Sequence, residues 1–197
     1  MDTNCTSSVK SLRWCKGKTS KPGLRDKVYY VAKSDIAIWP IYNPETGKLE
    51  GSFKLVSDPQ NPGTTKKWST IDVLPNKSSF KSESQGEYPS VTQKNTLEAI
   101  YPGCNAEANI AVGKLNNNDT VVIAQGADKI YRVIGNEDYP TNATAAQDLG
   151  QGETGSTSTT LTFTTTDVVP APIYEGEIDT EDGIINPDES GSGSASE

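Results

Sequence analysis

The stretch WSTIDVLPNKSSFKSESQGEYPSVTQKNTLEAIY, from Trp68 to Tyr101, constrains this chain more than any other. Ser, Thr and β-branched residues dominate both sides of a QGEYP turn, and no helical period runs through it. A period of two reads directly. Lys81, Glu83, Gln85 and Glu87 share one face, opposite Phe80, Ser82, Ser84 and Gly86. After the turn, Thr92, Lys94, Thr96 and Glu98 alternate with Val91, Gln93, Asn95 and Leu97. Only the base carries apolar residues, namely Ile71, Val73, Leu97, Ile100 and Tyr101. The pattern predicts one long β-hairpin over 68–101, rooted in its own domain and polar on both faces toward its tip. A free two-stranded ribbon is at best marginally stable in water. The expectation is therefore lateral pairing with another copy, one face lining a hydrated lumen; the plainer alternative is a long solvent-exposed loop. Under the pairing reading, a proline at Ser84 or Asn95 should block assembly and leave the monomer folded.

The charge distribution divides the chain. Eight of its 26 acidic residues and none of its 18 basic ones fall between Glu175 and Glu197, which leaves the preceding part neutral. Near the other end Lys10, Arg13, Lys16, Lys18, Lys21, Arg25 and Lys27 crowd together with only Asp26 against them. The expected organisation is a basic arm over 1–26, a body over 27–174 and a flexible acidic tail over 175–197. Leu12 and Trp14 are candidate anchors in the arm. Oppositely charged ends suit head-to-tail association as well as they suit two solvated tails.

Within the body, Val28 to Val31 and Ile36 to Trp39 read as first strands, and Phe53 and Leu55 share a face of a third. Asn105 is placed to cap a short helix whose apolar side holds Ile110, Val112 and Leu115. TVVIAQGADKIYRVIG is the clearest hairpin and the expected heart of a sandwich. NEDYPTNATAAQDLGQGETGS reads as a long polar loop. STTLTFTTTDVV reads as a final strand with Leu161 and Phe163 inward and Thr160, Thr162 and Thr164 outward. The predicted fold is mainly β, a sandwich or barrel-like body with one short α-helix, a long protruding hairpin and flexible termini.

Chemistry is sparse in this sequence. No His is present, which excludes Ser-His-Asp and Cys-His mechanisms and imidazole metal sites. Cys5, Cys15 and Cys104 form no CxxC pair and no disulfide framework. Gly150, Gly152 and Gly155 spell GxGxxG, but a loop precedes them and a Thr-rich strand follows, so a hairpin loop is expected instead of a dinucleotide site. Asp179, Glu181, Asp182 and Gly183 lack the ligand spacing of a calcium loop. Glu83, Glu87 and Glu98 are the candidates for a carboxylate pair; facing water or a partner's Lys is the expected role. No catalytic, cofactor-binding or metal-binding residue is assigned. The basic arm with Trp14 could touch phosphates, but without base readout. The opening MDTNCTSSVK holds no apolar run, and no stretch is long and apolar enough for a membrane helix, so a cytoplasmic origin and no membrane partner are expected.

The order of features from Trp68 to Pro172 resembles the tail tube (major tail) proteins of long-tailed bacteriophages. The residues that carry the resemblance are the polar hairpin SESQGEYPSVTQKNTLEAIYPG, the helix, VVIAQGADKIYRVIG ending at Gly135, the Gly-rich loop and TLTFTTTDVVPAP. The first 67 residues have no match to that pattern. The resemblance implies a virion protein made in the host cytoplasm, whose copies form hexameric rings that stack into a tube around DNA. DNA would be a non-specific passenger in the lumen, and other virion tail proteins would be partners. Phe80, Lys81, Glu83, Gln85, Glu87, Thr92, Lys94 and Thr96 would form the hairpin contacts between subunits. Arg13, Trp14, Lys16 and Arg25 would contact the next ring. Alternatives are a connector or terminator ring protein, a carbohydrate-binding or adhesive β-sandwich such as a decoration protein, and, last, a carboxylate-pair enzyme.

Overall fold

A computed structural model describes residues 11–185. Its centre is β9 (Thr120–Gly126), in which every residue is buried. The run TVVIAQ supplies apolar side chains to both faces, so the strand can lie between two layers. With β10 (Tyr131–Ile134) it makes the hairpin expected from the sequence, and Lys129 in its turn has φ 68°. On the other side of β9 lies β1 (Leu24–Ala32), followed at the edge by β6 (Ser69–Asp72). Beyond β10 come β13 (Ile173–Tyr174), β4 (Lys48–Glu50) and β3 (Ile41–Asn43), completing a seven-stranded sheet.

A second sheet of four strands packs on one face of the first, in the order β11 (Thr141–Asp148), β12 (Ser158–Asp167), β8 (Thr92–Pro102) and β7 (Ser79–Gln85). All its pairings are antiparallel. Between the sheets, Val28, Val122, Ala124 and Ile134 meet Leu97, Ala99, Leu161 and Phe163. Burying side chains of this kind stabilises the fold by about 1.5–3 kcal/mol each. The opposite face of the large sheet is covered by two short ribbons, β2 (Ile36–Ile38) with β5 (Lys54–Leu55), and β14 (Ile178–Thr180) with β15 (Gly183–Ile185). Phe53 organises this second core, with ring centroids 5.5 Å from Trp39, 5.4 Å from Trp68 and 5.2 Å from Tyr174. The Tyr174 hydroxyl accepts from the Phe53 amide at 3.2 Å and donates to the Glu177 carbonyl at 2.8 Å. Among the described residues the architecture is the expected β-sandwich with one α-helix, and its strands do not close into a barrel within one copy.

Several expectations need correction. The hairpin is shorter than 68–101, because Trp68 is only 1% exposed and β6 joins the large sheet beside β1. A turn at Leu74, whose carbonyl accepts from the Lys77 and Ser78 amides, separates β6 from β7. Nor is the hairpin a free ribbon. From Gln93 to Pro102, β8 pairs with β12 of the same chain, and its Asn95, Leu97 and Ala99 face the core. A proline at Asn95 would therefore break a central strand instead of sparing the monomer; at Ser84 it would fall on the edge strand. The segment read as a long loop contains β11, whose Ala143 and Ala145 pack on the core without the bulk that marks a strand in sequence. The arm ends earlier than 26, since Leu24 is buried at the start of β1. The body continues past 174 to Ile185, with Ile178 fully buried. In the helix, α1 (Ala106–Leu115), the Asn105 side chain accepts from the Ala108 amide as expected, but Ile110 is exposed while Ala108 and Leu115 are buried. Cys5, Lys10 and the tail beyond 185 lie outside the described residues.

Candidate assembly surface

The second face of the four-stranded sheet points away from the core. Alternation along β12 puts Leu161 and Phe163 inward, so Thr160, Thr162 and Thr164 project outward as expected, and Thr166 lies on the same face. Cross-strand register then builds rows over this face. Asn142, Thr164, Thr96 and Lys81 lie side by side, as do Thr144, Thr162, Glu98 and Ser79. A third row holds Thr166, Lys94 and Glu83.

Six of the eight residues expected in the hairpin contact thus share this face: Lys81, Glu83, Gln85, Thr92, Lys94 and Thr96. Phe80 does not, because it points inward and packs against the core. Glu87 falls beyond β7, exposed in the turn that holds the cis Tyr88–Pro89 bond. The threonines of β12 and the β11 residues Asn142 and Thr144 complete the surface. Their TxTxTxT alternation was legible as outward-facing, but the partnership of β12 with the hairpin was not.

Short polar contacts tie the face together. Lys81 Nζ lies 3.3 Å from Glu83 Oε1, and Glu83 sits directly across from Lys94. Gln85 Nε2 donates to Thr166 Oγ1 at 3.0 Å, spanning to the third strand. The Ser79 hydroxyl donates to Glu98 Oε2 at 3.4 Å. Exposed ion pairs of this kind contribute about 0.2–1 kcal/mol each. Cations and anions alternate on the face, so it offers hydroxyls and mixed charge to water without a single-sign field. The candidate carboxylates Glu83 and Glu98 are occupied by lysine and serine neighbours.

Both edges of this sheet are open. Strand β7 pairs only with β8, and β11 only with β12, so each presents one row of backbone N–H and C=O groups without a strand partner among the described residues. Side chains hold the edge strand from beneath. Ser82 Oγ donates to Asn95 Oδ1 at 2.6 Å, and the same oxygen of the buried Asn95 accepts from the Ala171 amide at 3.2 Å.

The other candidate positions lie elsewhere. Arg13, Trp14 and Lys16 are exposed in the segment before β1, and Arg25 is exposed within β1, in the other sheet. Gly150, Gly152 and Gly155 form the β11–β12 hairpin loop. Gly150 has φ 77°, its amide donates to Asp148 Oδ1 at 2.8 Å, and a Cβ at Gly155 would collide with the Gln151 backbone. Asp179 and Asp182 flank the β14–β15 turn, 3.6 Å from Lys67 and 3.8 Å from Lys27 respectively. Cys15 is exposed, and Cys104 Sγ contacts the Ser158 carbonyl at 3.2 Å. Among the described residues no three potential metal ligands converge, and no helix is long and apolar enough to cross a membrane. Fold and surface together define a two-sheet β-sandwich that carries a polar, open-edged four-stranded sheet. No protein-family description, no curated protein and no solved structure matches the chain.

Proposed function

We propose that this protein is a structural subunit whose copies join edge to edge into rings, in the manner of a phage tail tube protein in the virion tail. The observation that carries the reading is the four-stranded antiparallel sheet with two open edges and a polar outer face. Its even strand number matters. Strands β11 and β7 at its two edges run in opposite directions, so β7 of one copy meets β11 of the next antiparallel, and every copy keeps one orientation. The joined sheets then extend by rotation and close without a remaining edge. Six copies, the number implied by the resemblance to tail tube proteins, make a barrel of about 24 strands. With strands about 4.8 Å apart and tilted about 40°, its backbone diameter is about 48 Å, which leaves room for a DNA duplex.

The face turned to that lumen carries Lys81, Glu83, Gln85, Thr92, Lys94 and Thr96 with the β12 threonines. Mixed charge and hydroxyls hold water there and give phosphates no basic track to bind. DNA passes as a non-specific passenger, and stacked rings meet other tail proteins at the ends.

Negative-stain electron microscopy and sedimentation of the purified protein test this directly. Rings or tubes are expected; a monomer at high concentration would refute it. Ser84→Pro, on the edge strand, should abolish rings and leave the circular dichroism of the monomer unchanged. Rings from that variant would show that β7 is not the joining edge.

A further inference from the structure

A groove of about 180 Å³ lies near one end of the sandwich, open to solvent. Trp39 and Tyr42, both half-buried, line it, and Trp39 is held from behind by Phe53, with ring centroids 5.5 Å apart. The turn from Gly135 to Asp138 and the end of β12 at Asp167 complete the lining.

Asp167 is only 7% exposed, the last of the inward series Leu161, Phe163, Thr165 along β12. A carboxylate this deep needs partners for its charge. One oxygen has them. Oδ1 accepts from the Val168 amide at 2.7 Å and from the Val169 amide at 3.4 Å. Oδ2 has no hydrogen-bond partner, and Asp167 belongs to no ion pair, among the described residues. Yet Oδ2 is not among the buried polar atoms left unsatisfied, so it reaches solvent. The opening beside it is the groove.

The rest of the lining sets the charge of what can fill it. Glu137 and Asp138 are exposed on the rim and pair with no cation among the described residues. No Lys or Arg lines the groove. Lys33, whose Nζ donates to the Tyr139 carbonyl at 3.3 Å, lies 3.5 Å from Asp119 and is paired there. Asn136 is held by the backbone, donating to the Thr166 carbonyl at 2.8 Å and accepting from the Tyr139 amide at 2.7 Å. Three carboxylates beside two aromatic rings, with no cationic side chain, select a cation. The single free oxygen narrows the class. A guanidinium binds a carboxylate best through both oxygens, and Asp167 has committed one to the backbone. A quaternary ammonium has no N–H to donate. A primary ammonium makes one charge-assisted bond to Oδ2 and lays its alkyl stem on the rings.

We infer that this groove binds a primary alkylammonium group, which donates to Asp167 Oδ2 while its stem lies against Trp39 and Tyr42. Glu137 and Asp138 then meet a second cation further along the same molecule. A free aliphatic diamine and a lysine side chain both present the first group. The site does not depend on the ring reading.

The test titrates the full isotopically labelled chain, at fixed ionic strength and neutral pH, and follows its N–H resonances. The probes are n-butylammonium, diaminobutane, N-acetyl-lysine methylamide, n-propylguanidinium, tetramethylammonium and a neutral methyl glycoside. Butylammonium should shift the Trp39 indole and the Val168 and Val169 amides saturably, with half-saturation at about 1–10 mM. Propylguanidinium and tetramethylammonium should need about tenfold more. Diaminobutane binding tighter than the lysine derivative assigns the site to free amines, and the reverse assigns it to a lysine of a partner protein. Asp167→Asn keeps an oxygen for the Val168 amide and should weaken butylammonium binding about tenfold or more. Glu137→Gln with Asp138→Gln, on an exposed turn, should weaken diaminobutane about threefold and leave butylammonium within about twofold. Equal shifts with all the cations, a preference for the glycoside, or no saturation by about 100 mM would overturn the inference. So would unchanged binding in folded Asp167→Asn. If circular dichroism shows that variant unfolded, the wild-type ranking of cations and the rim variant decide the matter.

Discussion

Asn95→Ala should destabilise the protein by about 3 kcal/mol, although the side chain it removes is polar and lies in a strand whose sequence looks solvent-facing. Asn95 is fully buried. Its Oδ1 accepts from the Ser82 hydroxyl and from the Ala171 amide, and its Nδ2 donates to the Val169 carbonyl at 3.3 Å. Truncation loses these bonds at about 1 kcal/mol each and leaves the Val169 carbonyl without its donor, a further cost of about 1–3 kcal/mol. Ser82 Oγ lies 3.4 Å from the Ala171 amide and can take part of that load, which keeps the total near the lower end. Equilibrium unfolding in urea measures it. With a slope of about 2 kcal/mol/M, the midpoint should fall by about 1.5 M at unchanged slope. Ser82→Ala and the double variant complete a cycle, and the coupling should exceed 0.5 kcal/mol because the two side chains touch. A loss below about 0.5 kcal/mol for Asn95→Ala would show that the Val169–Ala171 segment is not held through this residue, and the account of the edge strand would fall with it.

Two other outcomes follow from the cores. Burial pushes the Tyr29 phenol up to about 12, with smaller upward contributions from Tyr131 and Asp26. The folded state thus holds this proton more tightly than the unfolded state, whose phenol titrates near the usual 10. The stabilisation is complete below pH 10 and declines as pH rises toward 12, so Tyr29→Phe should flatten the fall of the urea midpoint across that window. An identical slope in the variant would contradict the assignment. Phe163→Ala empties the centre of the inter-sheet core and should cost about 3–5 kcal/mol in the same assay, while Thr162→Ala on the outer face should cost less than about 0.5 kcal/mol. Equal losses would mean that the inward and outward faces of β12 have been exchanged.

The parts legible in sequence are those where local pattern and environment agree. TVVIAQ followed by YRVI could only be buried strands, and alternation in TLTFTTT told its two faces apart. Asn105 marked its helix start by a side-chain bond that spans three residues. That Lys81, Glu83 and Gln85 share a face of one strand, and Thr92, Lys94 and Thr96 a face of the other, followed from the period of two alone; which face turns outward was decided by the core that Asn95, Leu97 and Ala99 enter. Errors gathered where neighbours distant in the chain decide the outcome. Ile110 and Val112 both suit an apolar helix side, and only the packing of α1 on the sandwich exposes the first. β11 was hidden because Ala143 and Ala145 are too small to mark a strand until β12 is known to lie beside them. Ile178 sits in an acidic segment too poor in apolar residues to fold by itself, but Trp68 and Phe53 provide it with a core.

The hairpin shows the division most clearly. Sequence alone determined that the hairpin has two strands and which of their residues share a face, because side-chain direction alternates within the strand itself. It could not determine which strand lies beside them. The tertiary structure placed β12 against β8 and made Asn95 an interior residue, leaving β7 and β11 as the open edges. Strand pairing joins backbone groups that are alike in every residue. The choice of partner is made by the side chains that two sheets must bury together.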